Sequence, residues 1–204
     1  MRKVSSNVLR KNFQRSFISH QADQEMIWRK LFVDSEGYSD ILYRLLVIDQ
    51  KDCLDETQAQ YKELISQYNV GRLKKEGYIT AVPRIQLEEH ETNKTYILFE
   101  MDNMVPNGTN PEYMDSMITF TIFSNFDSWE LNDYQIRPWV IAGYINGLLN
   151  GSRLTGIGKL ECIGASQFAM NEHFGGVMIR YNAVHGQEDN DKVDNTKPSI
   201  NQLS

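Results

Sequence analysis

One change of period divides this chain. Up to about residue 75 the apolar residues recur at three- and four-residue spacing, the repeat of one helix face; after Gly77 they alternate, the repeat of a strand. A chain that switches this way, and then places one more helical stretch between strands, is predicted to be α+β. The expected architecture is a mostly antiparallel sheet backed by a helix, with an amino-terminal helical extension.

The helical half opens with Val8-Leu9, Phe13 and Phe17-Ile18 on one stripe. Met26-Ile27-Trp28 with Leu31-Phe32 form a second cluster ending near Gly37. Ile41-Leu42, Leu45-Leu46 and Ile48 keep helical spacing, with a strand over 45–48 as the alternative. Asp55 and Gln58 have capping-box spacing, so a further helix is expected from about Asp55 through Tyr61, Leu64-Ile65 and Tyr68, interrupted at Asn69-Val70-Gly71.

In the second half, Tyr78 to Leu87 and Thr95 to Met101 are expected to pair as a hairpin across the charged turn 88–93, with Pro83 confining the first strand to an edge or a bulge. Met117 to Ser124 alternates most cleanly: Ile118, Phe120 and Ile122 point one way and Thr119, Thr121 and Phe123 the other. Between these strands, residues 102–115 are rich in turn formers and predict a long polar loop. Loops of such length are usually functional or interfacial. A helix from about Tyr134 to Asn150, capped by Asp133 and by Asn150-Gly151, turns Ile136, Val140-Ile141, Tyr144-Ile145 and Leu148-Leu149 toward a sheet. Two last strands, Gly158–Phe168 and Gly176–Val184, flank the turn 171–175. The organisation expected is therefore a helical arm or subdomain over 1–76, an α+β core over 77–185 and a polar tail over 186–204, whose composition is that of a segment ordered only against a neighbour.

Composition narrows the function classes. The 204 residues are long enough for one domain, and the longest unbroken apolar runs are four residues, where a membrane-spanning helix needs about twenty. No apolar stretch follows Met1-Arg2-Lys3, so neither a signal peptide nor a membrane partner is expected. The net charge of −6 is unevenly placed: residues 1–30 hold seven basic and two acidic side chains, +5, which leaves −11 for the rest. A basic arm on an acidic body suits docking on an acidic neighbour, contact with nucleic acid, or a solvated helix face.

The residues that carry catalysis elsewhere are not arranged for it here. Cys53 and Cys162 are far apart and outside any CxxC, and are expected as buried small side chains. His20, His90, His173 and His185 offer no pair at i, i+4, so no metal site is expected. Gly151–Gly156 has phosphate-loop glycine spacing but lacks the Lys-Ser/Thr that would reach phosphate and magnesium, and it follows a helix instead of preceding one. No GxSxG frames a serine, and the acidic pairs Glu88-Glu89 and Asp189/Asp191 fall where carboxylates stay solvated. Phe120, Phe123, Phe126 and Trp129 could stack bases but have no Lys or Arg among them, so packing is the stronger account. No catalytic, cofactor-binding or metal-binding residue is assigned, and no enzyme is expected.

From Tyr78 to Val184 the order of elements resembles the tail-terminator and head-to-tail neck proteins of tailed bacteriophages. The likeness is carried by Val82-Pro83-Arg84-Ile85 and a second strand, then Ile118-Thr119-Phe120-Thr121-Ile122-Phe123-Ser124. A short aromatic link leads to Arg137, Ile141-Ala142, Ile145 and Leu148-Leu149-Asn150-Gly151, and a strand pair closes the unit. About half the chain is covered; the helical arm, the loop at 102–115 and the acidic tail depart from the pattern. The resemblance implies a virion structural protein, made in the host bacterial cytoplasm and placed in the neck or tail. It would form a homo-oligomeric ring of six or twelve copies, joined to portal, neck or tail proteins and lining a channel through which genomic DNA passes without sequence-specific binding. An acidic lumen would fit, since a basic one would hold phosphates. Closed rings are built from repeated heterologous contacts, and Phe126, Trp129 and Trp139 are the candidate interface anchors, although for Trp139 a core position is the favoured reading. The competing function is nucleic-acid binding through the basic arm Arg2–Arg15.

Overall fold

The computed structural model describes residues 19–35, 37–81, 94–109, 114–154 and 157–185. The expected stripe at Val8–Ile18, the basic arm Arg2–Arg15, the strand around Pro83 with its turn at 88–93, and the tail at 186–204 lie outside the described residues.

The fold is α+β. Four helices precede the sheet: α1 (Ser19–Phe32), α2 (Tyr38–Val47), α3 (Ala59–Ser66) and α4 (Val70–Lys75); α5 (Arg137–Leu149) lies between strands. The strands are β1 (Ile79–Thr80), β2 (Thr95–Pro106), β3 (Met114–Asn125), β4 (Arg153–Leu154), β5 (Gly158–Lys159), β6 (Glu161–Ala169) and β7 (Phe174–His185). Five of them form one sheet in the order β1-β2-β3-β7-β6, and β4 pairs with β5 in a small separate ribbon.

Alternation on the long strands sets the core. On one face of the sheet Ile97 stands opposite Ile122, Phe99 opposite Phe120, Phe120 opposite Ile179 and Ile118 opposite Tyr181. The helices cover this face. Ile141, Ala142, Ile145 and Leu149 of α5 are buried against it, and Trp28 of α1 packs its ring 5.6 Å from Phe99 and 6.2 Å from Phe120. Residues from α1 through α4 belong to the same hydrophobic cluster as those of the sheet, so the described part of the amino-terminal segment and the α+β unit share one core.

The stretch 45–48 follows its helical spacing as the end of α2 and its cap, and the strand alternative does not form. Three expectations are corrected. The Asp55–Gln58 capping box does not form: Asp55 accepts from the backbone and hydroxyl of Thr57 in a local turn, and α3 starts later, at Ala59. Asp133 does not cap α5; it sits at φ 61° in a short turn, and the helix begins after Ile136. At the start of the expected hairpin β1 pairs parallel with β2, Ile79 beside Ile97 and Thr80 beside Leu98, where a hairpin would pair its strands antiparallel.

The expected long loop at 102–115 is strand at both ends: β2 runs on to Pro106 and β3 begins at Met114, while 110–113 lie outside the described residues. The polar residues misled because this end of the ribbon carries a bulge: pairing slips between Asp102 and Val105, and Asn103 takes a positive φ, a conformation asparagine tolerates well.

Candidate functional site

Three arrangements could carry function. The first surrounds Arg137, the first residue of α5, which is fully buried. Its guanidinium donates from Nε to the Ser128 carbonyl at 2.8 Å, from Nη1 to Leu45 at 2.8 Å and to Ile48, and from Nη2 to Asp49 at 2.8 Å and Gln50 at 2.9 Å. Four of these carbonyls, Leu45, Ile48, Asp49 and Gln50, belong to the last turn of α2 and the loop after it, where a helix leaves its oxygens unpaired and concentrates partial negative charge, and Ser128 lies in the turn between β3 and α5. Burial holds the Arg137 pKa below the ordinary guanidinium value, opposed by Cys53 and Asp49 nearby. Burial likewise raises the Cys53 thiol, against the pull of Arg137. Among the described residues its hydrogen bonds go to backbone carbonyls and none to a carboxylate, so the guanidinium fixes backbone.

The second is a buried polar chain. His185, at the end of β7, places Nδ1 2.9 Å from Asp23 Oδ2 on α1, and its Nε2 is hydrogen-bonded to the hydroxyl of Ser116 on β3. Hydroxyl, imidazole and carboxylate follow the order of a hydrolase relay. In α/β-hydrolases the nucleophile projects from a sharp strand-to-helix turn, and in every such relay its hydroxyl must be open to a substrate. Ser116 continues along a central strand, opposite Ala183 on one side and the bulge at Asn103-Met104 on the other, and all three side chains are buried. The arrangement works as a clasp that joins α1 to the ends of β3 and β7.

The third is a surface. α5 carries no charged residue after Arg137, yet its outward side is partly open: Trp139 is 39% exposed. Val140, Gly143, Tyr144, Gly147 and Leu148 line a groove of about 420 Å3 with Tyr38 of α2, which is 53% exposed and 5.9 Å from the Tyr144 ring. Trp139 Nε1 donates to Gln167 Oε1 at 3.1 Å, so this face continues onto β6. Among the described residues β6 is one of the sheet's two outer strands, uncharged after Glu161, with Ile163 51% exposed. An open edge of this kind is a template for pairing with another chain.

Of the candidate anchors, Phe126 and Trp129 come together, their rings 4.8 Å apart and both half-buried. Phe126 donates its N–H to His173 and packs against Gly175, while Trp129 Nε1 reaches the Ser124 carbonyl at 3.2 Å. Trp139 stands apart from them, on the open face and not in the core. Sequence reasoning missed Asp23, Ser116 and His185, which no local pattern links. Arg137 was quoted in the resemblance without a role, and the apolar outer face of α5 was visible as a helix with no charge after its first residue.

A family model, YomW, matches residues 39–183, from the first turn of α2 nearly to the end of β7. The chain belongs to the YomW family. This family is phage-derived, which makes the chain a phage-associated protein. No curated protein matches it. The YomW match takes in Arg137, Ser116, the α5 side of the groove and the β6 edge; Tyr38 and His185 fall just outside it, and Asp23 lies sixteen residues before it.

Among the described residues no helix is long and apolar enough to cross a membrane, and no three metal-ligating side chains converge.

Proposed function

We propose that this YomW-family chain is a structural virion protein, a subunit of an oligomeric ring in the neck or tail of a tailed phage. The ring would join head to tail, form part of the DNA channel and perform no catalytic turnover. The observation that carries the reading is the continuous uncharged surface of α5 and β6. A body that nets −11 outside its first thirty residues repels its own copies wherever charges face one another, and this surface is where two copies could approach without that cost. Its apolar side chains and open strand edge are the kind of surface that subunits bury. The phage derivation of the family supports the virion setting.

The test is the mass of the purified full-length protein in solution together with its position in a reconstruction of the virion. The expected result is a closed ring of six or twelve copies at the neck or tail. A stable monomer absent from particles would overturn the proposal.

A further inference from the structure

Proteins keep open strand edges apart with lysine, proline or a bulge. β6 has a bulge between Cys162 and Gly164, but from Ala165 to Ala169 it runs straight, uncharged and without proline, and only Phe168 of these five residues is not exposed. Among the described residues no strand pairs with its outer side. The turn into β7 shows which backbone groups face outward. Met170 donates its N–H to the Phe174 carbonyl at 2.8 Å, and inward and outward positions alternate along an antiparallel strand. Ala169, Gln167 and Ala165 therefore turn their N–H and C=O groups away from β7.

We propose that the outer side of β6 pairs with β6 of a second copy, antiparallel and centred on Gln167, so that the two sheets join into one. Gln167 is the midpoint of the straight stretch. With Gln167 facing its own counterpart, Ala165 of each chain faces Ala169 of the other, and every outward residue of both chains gains a backbone partner. Charge selects a second copy as the occupant. Outside its first thirty residues the chain nets −11, so copies repel wherever charged surfaces meet, but no charge lies between Glu161 and Glu172. The antiparallel sense also brings unlike charges together at the ends: the ion-paired Lys159 and Glu161 before one β6 come beside Glu172 and His173 after the other. Apolar surface follows the same symmetry. Met170 of one chain, 45% exposed, comes beside Ile163 of the other, 51% exposed, and Trp139, bonded to Gln167, flanks the centre in both.

The pair goes beyond the ring reading. A twofold contact uses the same patch on both chains and reverses their direction, whereas neighbours around one ring meet through a different, heterologous contact. Within a ring assembly the β6 pair therefore joins two rings face to face, and twelve copies are two rings of six.

The experiment measures the mass of the full-length chain in solution against concentration. The expected parent is a dimer, or a twelve-copy assembly that separates into halves when the pair is broken. Gln167→Lys and Gln167→Glu each place like charges at the twofold centre and should raise the concentration needed for pairing at least tenfold. An equimolar mixture of the two should restore pairing, which chains that had failed to fold could not do. Gln60→Lys, at an exposed position of α3, should leave the mass unchanged. An assembly of any size that neither Gln167 variant alters overturns the β6 pair and leaves the ring reading standing. Loss of pairing in both variants without restoration in the mixture also overturns it. A monomeric parent overturns the pair and the ring reading together.

Discussion

Arg137 donates a 2.8 Å hydrogen bond to the carbonyl of Leu45, ninety-two positions earlier in the chain. With three of its four other hydrogen bonds this fastens the start of α5 to the end of α2, and the fourth holds Ser128. Arg137→Ala would remove a donor from five carbonyls, of which Gln50 keeps the N–H of Cys53. Each orphaned buried group costs about 1–3 kcal/mol and such losses are not additive, so the expected destabilisation is about 3–5 kcal/mol by denaturant unfolding. Arg137→Lys should recover only part of this, because an ammonium has three donors in place of a planar fork of five. A lysine variant as stable as the parent would show that the fork is not what holds the two helices.

The Asp23–His185 contact makes a second quantitative expectation. Asp23→Ala and His185→Ala, measured singly and together, should be non-additive by about 0.5–3 kcal/mol, as for groups in direct contact. Additive losses would mean that the clasp contributes nothing as a pair.

Much of the fold was legible in the sequence, for physical reasons that differ by element. β3 shows itself because a strand with one face on the core alternates, and Ile118, Phe120 and Ile122 are all fully buried. α5 shows itself through its apolar spacing and the glycine after its end. Arg137 and the Ser116–His185–Asp23 clasp were not legible, since their partners lie far away in sequence and nothing in the local pattern names them. The parallel sense of β1 was hidden too: composition identifies a strand without its direction.

Stability should fall in acid. Hydrogen bonds hold Glu76 (from Arg72), Asp55 (from Thr57), Glu130 (from Lys51) and Glu161 (from Lys159) below their ordinary carboxylate values. A carboxylate with a lowered pKa in the folded state contributes stability above its unfolded pKa and loses it as pH falls through the folded one. The denaturation midpoint should therefore drop as pH falls below about 4.5, the ordinary glutamate value. Glu76→Gln should flatten that slope.

Alkali should act through different residues. Burial raises the Tyr78 and Tyr181 phenols above 10. Above pH 10 the unfolded chain loses protons that the folded chain keeps, so stability declines as pH rises from there. Tyr181→Phe should weaken the decline, read from unfolding midpoints between pH 9 and 11.

Gly176 is a packing test within β7. A Cβ there would stand 1.8 Å from the Ile122 carbonyl oxygen and 2.7 Å from the Phe123 Cα, both backbone atoms of the neighbouring strand. Gly176→Ala should cost at least about 1–3 kcal/mol, the usual penalty for overpacking, and should disturb the β3–β7 pairing in amide exchange. Wild-type protection in that ladder would contradict the expectation.

The clasp at Ser116 has a mechanical meaning. Asp23 lies near the beginning of the described chain and His185 at its end, and the two side chains touch. Tension applied between the two ends would reach this contact before it reached the core. The clasp would yield first, as a local fastening separate from the hydrophobic interior, and the sheet beneath could keep its shape while the two ends parted.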